Sequence, residues 1–84
     1  MPDIMATVKK YILVTYLEGE DPDNLTPSTE LIQSGILDSL ATLDLVSFLE
    51  SSFAIELGAH DVAPANLSTL AAIERLVSRK RSSA

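Results

Sequence analysis

The sequence predicts a small all-α domain of three main helices, one long structured loop and one short helical turn. Three observations carry that expectation. The 84 residues are 46% hydrophobic with only 3 Gly and 4 Pro, the composition of a compact domain rather than a disordered chain. Apolar residues recur at helical spacing in three separated segments, each preceded by a residue of N-cap type. No repeat or low-complexity stretch interrupts them. A chain this short forms one domain, residues 1–84, with one core and little margin, so a roomy enclosed active site is not expected.

The first helix is expected over residues 3 to about 17, with Asp3 as its cap and Ile4, Val8, Tyr11 and Ile12 on one apolar face. "EGEDPDNLTPSTELIQSG" then collects turn-forming residues, and Leu25, Leu31 and Ile32 are expected to pin this long connection to the core. The second helix should begin at Asp38 or Ser39 and end near Ser52 or Phe53. At about 100° per residue, Thr42, Leu45, Val46, Leu49 and Phe53 gather on its expected core side. A short turn around "DVAPANL" is limited by Pro64, and Ser68 or Thr69 caps a last helix with the stripe Leu70, Ile73 and Val77. Arg79, Lys80 and Arg81 suit a helix C-terminus, and residues 79–84 are expected to fray.

Charge and cysteine usage exclude several function classes. There is no cysteine, hence no disulfide, no thiolate metal site and no thiol chemistry of the chain's own, which suits a reducing cytoplasm. The longest apolar stretch, "YILVTYL", is far too short to cross a bilayer, and the N-terminus lacks the order of a secretory signal, so a soluble cytoplasmic monomer is expected. Net charge is -6, and every cation lies at Lys9, Lys10, Arg75, Arg79, Lys80 or Arg81. The acidic middle is expected to repel nucleic acid and attract basic protein surfaces; the alternative, which charge alone favours, is that the acids simply keep a small domain soluble. His60 has no cysteine or second histidine to complete a metal site, and "EGEDPD" has the wrong glycine placement for an EF-hand. No metal is therefore expected. Tyr11 and Tyr16 are expected to pack at the edge of the core.

Ser39, in "SGILDSLATLDLV", sits where a Gly35 turn hands over to the second helix. A hydrolase nucleophile needs a base and a Gly-x-Ser-x-Gly turn, and "LDSLA" has neither. Either Asp38 or Ser39 satisfies orphan N–H groups as a cap, a benefit of roughly 1 kcal/mol that is structurally sufficient for either residue. A third role is covalent modification by a phosphate-bearing group, which the N–H donors and positive dipole end of a helix tolerate. Opposite the core side lie Leu40, Leu43, Asp44, Ser47 and Ser51. Periodicity leaves two readings of Leu40 and Leu43 open: packing under the long loop, or anchoring a transient partner.

"LIQSGILDSLATLDLVSFLESSFAIEL", followed by "LSTLAAIERLV", resembles the acyl carrier and peptidyl carrier protein family over nearly the whole chain. Asp-Ser-Leu alone is a weak tripeptide. Its specificity comes from the preceding Leu-x-x-x-Gly-x-x turn, the following apolar-acidic helix ending in Glu-x-x-Phe, and the acidic chain of this length. The resemblance implies a four-helix bundle of acyl-carrier type whose Ser39 receives covalent 4'-phosphopantetheine from coenzyme A, through a phosphopantetheinyl transferase that uses magnesium. The imported thiol would carry acyl or aminoacyl groups as thioesters between a loading ligase and downstream biosynthetic enzymes, while the carrier itself catalyses nothing. Carried over by position, Asp38 is the family's preceding acid, and Leu40, Leu43, Asp44 and Ser47 match its partner-recognition face.

One departure bears on cargo. Ser51 and Ser52 follow Glu50, where fatty-acid carriers in this family place further carboxylates. Together with "SGILDSL", which is similar to stand-alone carriers of aminoacyl groups, D-alanine or specialised metabolites, this points away from housekeeping fatty-acid synthesis. The rival reading is an unmodified helical interaction module that keeps the carrier fold and docks one partner through Leu40 and Leu43.

Overall fold

Asp3 opens the first helix in the computed structural model, which describes residues 3–17, 19, 21 and 24–82. Its carboxylate accepts from the Met5 and Ala6 N–H groups at 3.1 and 3.4 Å, so helix α1 spans Ile4–Tyr16 as its cap chemistry dictates. Val8 and Ile12 are buried, and Ile4, Met5, Tyr11, Leu13 and Tyr16 pack at the margin of the core. The Leu17 N–H, shared between the Ile12 and Leu13 carbonyls, closes the helix before the turn-rich segment. The expectation excluding calcium from "EGEDPD" falls largely outside the described residues.

The connection to α2 is a packed loop. Leu25 and Leu31 are buried and Ile32 is half-buried, as their place in a polar stretch implied, and Leu37 joins them. Backbone bonds fasten the loop to the far end of the chain: the Leu31 N–H donates to the Ser68 carbonyl at 2.7 Å, and the Ala71 N–H to the Pro27 carbonyl at 3.1 Å.

Helix α2 is Ser39–Phe53, capped by Asp38. Its buried stripe is Ala41, Leu45, Leu49 and Phe53. Leu45, Leu49 and Phe53 are buried as expected and Val46 packs half-buried against the core, whereas Thr42 is only half-buried and Ala41, not expected there, is buried at the start of the stripe. The physical reason lies partly in the first turn, where the Thr42 hydroxyl donates to the Asp38 carbonyl at 2.7 Å and is satisfied at the rim. Ala54 ends the helix in a left-handed conformation with φ 54°, and Glu50 accepts the Leu57 N–H at 3.0 Å, turning the chain back.

Helix α3, Pro64–Leu67, is one short turn with Pro at its first position and Leu67 buried. Helix α4, Leu70–Ser82, packs against α1, α2 and α3. Thr69 is its cap, accepting the Ala72 N–H at 3.1 Å, while the Ser68 hydroxyl turns to the Ala65 carbonyl. The stripe Leu70, Ile73 and Val77 is buried together with Ala72 and Leu76. Residues 79–82 are helical, with Arg79, Lys80 and Arg81 in the last turn, where the helix dipole favours cations, and Lys80 paired with Asp61; residues 83 and 84 of the tail expected to fray lie outside the described residues. No helix among the described residues is long and apolar enough to cross a membrane.

Candidate functional site

Ser39 is presented by a turn, a cap and an anchor. Gly35, at φ +86°, makes the left-handed bend that only glycine adopts without strain, closed by its N–H on the Ile32 carbonyl at 3.1 Å. Two residues on, Leu37 is buried and its N–H reaches back to the Leu31 carbonyl, which fixes the direction in which the chain emerges. Asp38 is extended and its Oδ1 accepts the Ala41 N–H at 2.8 Å. Of the two cap candidates, Asp38 therefore does the capping. Ser39 is released from it: the side chain is exposed at the first position of α2, and its hydroxyl has no hydrogen-bond partner among the described residues.

The first turn of α2 leaves the Ser39 and Leu40 N–H groups without intrahelical acceptors, beside the positive end of a 15-residue helix. An open cleft of about 500 Å³ adjoins the serine. Gly35, Asp38, Ser39 and Thr42 form one side, while Ile32, Leu37, Val62 and Pro64 supply apolar walls from the loop and the start of α3. A phosphodiester on the Ser39 oxygen would thus meet N–H donors and a favourable dipole, and an attached chain would find the partly apolar cleft next to it. The residues present fit such a group.

Tyr16 steadies this end of the bundle from α1. Its hydroxyl donates to the Ala41 carbonyl at 3.4 Å and lies 3.5 Å from the Tyr11 hydroxyl, and the Tyr11 ring stacks on Phe48 at 4.0 Å. Burial raises the Tyr16 phenol well above its ordinary range, and the Tyr11 hydroxyl and the nearby Asp44 and Asp38 charges push it the same way, so it remains a neutral donor. Both tyrosines edge the core, as expected from sequence.

The predicted recognition residues share one outward face. Leu40 and Leu43 are 69% and 65% exposed, so they do not pack under the loop. Asp44 and Ser47 are exposed at helical spacing from them, and Asp38 is exposed at the same end. His60 is exposed in the α2–α3 loop, with its Nε2 3.7 Å from Asp61 Oδ1. Sequence reasoning missed Thr42, Val62 and Pro64 as cleft residues and Asp61 as a buried one. Pro64 alone left a signal, as the mark of a helix start beside the serine-bearing turn.

Comparison with known proteins agrees with this geometry. The family described as "Phosphopantetheine attachment site" matches residues 13–77, well over half of the chain and including the serine, its cap and the cleft. The chain is also 36% identical over 69 residues to "Probable acyl carrier protein PigG" of Serratia sp. (strain ATCC 39006), covering 82% of this chain and 78% of that protein.

Proposed function

We infer the role of this protein from one premise: the chain belongs to the family of acyl and peptidyl carrier proteins built around a phosphopantetheine attachment site. It is a carrier with a covalently attached 4'-phosphopantetheine group. The proposal is that Ser39 is the attachment residue. The observation that carries it is the division of labour at the start of α2, where Asp38 caps the Ala41 N–H and leaves the Ser39 hydroxyl exposed, with no hydrogen-bond partner among the described residues, beside a cleft. In the transfer, the Ser39 oxygen forms the new bond to phosphorus, the nucleotide half of coenzyme A leaves, and the serine proton is removed by the transferase. Once attached, the group supplies a terminal thiol that holds cargo as a thioester.

The protein's own contribution is presentation and docking. Asp38, Leu40, Leu43, Asp44 and Ser47 form the face that a phosphopantetheinyl transferase, a loading ligase and downstream biosynthetic enzymes recognise in turn. Apolar anchors rimmed by a few charges suit contacts that form fast and release readily, since charge raises encounter rates more than affinity. The sparse acidity of this face, where Ser47, Ser51 and Ser52 stand, supports an aminoacyl or specialised-metabolite cargo over housekeeping fatty-acid synthesis.

The test uses purified apo-protein, coenzyme A and a broad-specificity phosphopantetheinyl transferase. The intact mass rises by one phosphopantetheine, and Ser39→Ala abolishes the gain. A wild-type chain that stays unmodified while a control carrier is converted would remove the proposal. For cargo, the loaded product is compared after incubation with an amino-acid-adenylating ligase and with a fatty-acyl ligase; preferential loading by the second overturns the cargo assignment.

A further inference from the structure

One wall of the Ser39 cleft belongs neither to α2 nor to the Gly35 turn: it is Val62 and Pro64. Val62 packs half-buried against the core and Leu67 anchors α3, but the wall's own secondary structure is slight. Helix α3 has four residues and no side-chain cap, too short to sustain itself. The residue before Val62 is Asp61, an acid that is only 6% exposed. Its Oδ2 accepts the Gly58 N–H at 2.9 Å and the Lys80 Nζ at 3.0 Å. Its own N–H donates to the Gly58 carbonyl at 3.0 Å, and its carbonyl accepts the Asn66 side-chain amide of α3 at 3.0 Å. Four bonds meeting on one residue therefore join the α2–α3 loop, α3 and the last turn of α4.

We propose that Asp61 and Lys80 form a positioning clamp for the carrier site, holding the Val62 and Pro64 wall beside Ser39 from α4; this rests on the reading of Ser39 as the attachment residue. Stability alone is a poor reason for such a pair. Removing two charges from water offsets much of their attraction, and apolar side chains of similar size commonly serve as well, whereas two aimed hydrogen bonds fix where a loop lies. Lys80 sits where the helix end already favours a cation, yet its side chain is committed to a carboxylate 19 residues earlier in the chain. Asp61 is thereby withdrawn from the acidic surface that meets partners. The clamp makes the cleft wall part of the rigid bundle when the transferase and later enzymes engage the site.

The test compares wild type, Lys80→Met, Asp61→Asn, the double variant and Lys80→Arg. Two readouts are taken: amide exchange at Gly58 and Asn66, whose N–H groups are bonded within the clamp and α3, against Leu45 and Leu49 in the core, and kcat/KM for arm transfer to apo-protein. Loss of the clamp is expected to speed exchange at Gly58 and Asn66 by about tenfold or more, well beyond the change in the core. Transfer should fall by about threefold or more, mainly through KM, because a loose wall must be ordered on docking. The double variant should be no worse than the more impaired single variant, and Lys80→Arg should recover most of the loss. Wild-type transfer rates in Lys80→Met and Asp61→Asn, or exchange that rises equally in the core, would overturn the proposal. An unmodified wild type would instead remove the Ser39 reading, with the exchange comparison then deciding alone whether the clamp exists.

Discussion

Replacing Asp38 by Ala removes the acceptor that holds the Ala41 N–H at 2.8 Å and leaves the first turn of α2 without its side-chain cap. The carboxylate is exposed, so the loss is that of an ordinary cap, about 1 kcal/mol within a range of roughly 0.5–2. For a domain of 84 residues this corresponds to a fall in Tm of roughly 4–8 °C per kcal/mol. Asp38→Asn keeps an acceptor oxygen and should lie within a few tenths of a kcal/mol of wild type. Urea unfolding of the three proteins reads the difference as a shift in midpoint at constant slope. Amide exchange at Ala41 should quicken in the alanine variant alone. If the alanine variant is as stable as wild type, or the asparagine variant falls as far, capping by Asp38 is not what frees the Ser39 hydroxyl.

Ala54→Gly relieves a left-handed backbone at φ 54° and should stabilise the fold by about 0.5–1 kcal/mol after the added flexibility of the unfolded chain is counted, read by thermal unfolding. The Gly58 N–H and the Lys80 ammonium hold the Asp61 carboxyl below its ordinary value of 3.8, so its stabilising contribution is complete above that pH and is lost as the pH falls further through the depressed folded value. Acid unfolding of Asp61→Asn should lack that component. Leu43→Asp replaces a 65% exposed anchor and should raise the KM of arm transfer by about tenfold with Tm nearly unchanged, since the side chain contributes little to the core.

The helices were largely legible because their ends are written in short-range chemistry. Asp3 and Asp38 are cap residues followed by apolar periodicity, Pro64 can only begin a helix turn, and Thr69 precedes the last stripe. The serine was legible as a candidate by its setting between the Gly35 turn and the second helix. Its release from capping was not, because Asp38 and Ser39 are equally good caps on sequence and the geometry of one turn decides between them. The core face of α2 was legible at Leu45, Leu49 and Phe53 but not in the first turn, where Ala41 is buried and Thr42 finds its partner within the helix. Nothing in the sequence sets Asp61 apart from the other acids of the middle segment. Its burial depends on Lys80, and no local pattern announces a pair so far apart in the chain. The exposure of Leu40 and Leu43 likewise depended on whether the long loop covered them, which periodicity does not encode.

The hydroxyl at the first position of α2 is proposed to carry the prosthetic arm. Peptide fragmentation of the holo-protein tests this most directly, because it assigns the added mass to a residue rather than to the chain. One phosphopantetheine on Ser39 and on no other serine or threonine is the predicted result. An arm on another hydroxyl, or a peptide containing Ser39 recovered wholly unmodified from a preparation in which a control carrier is fully converted, would contradict the account.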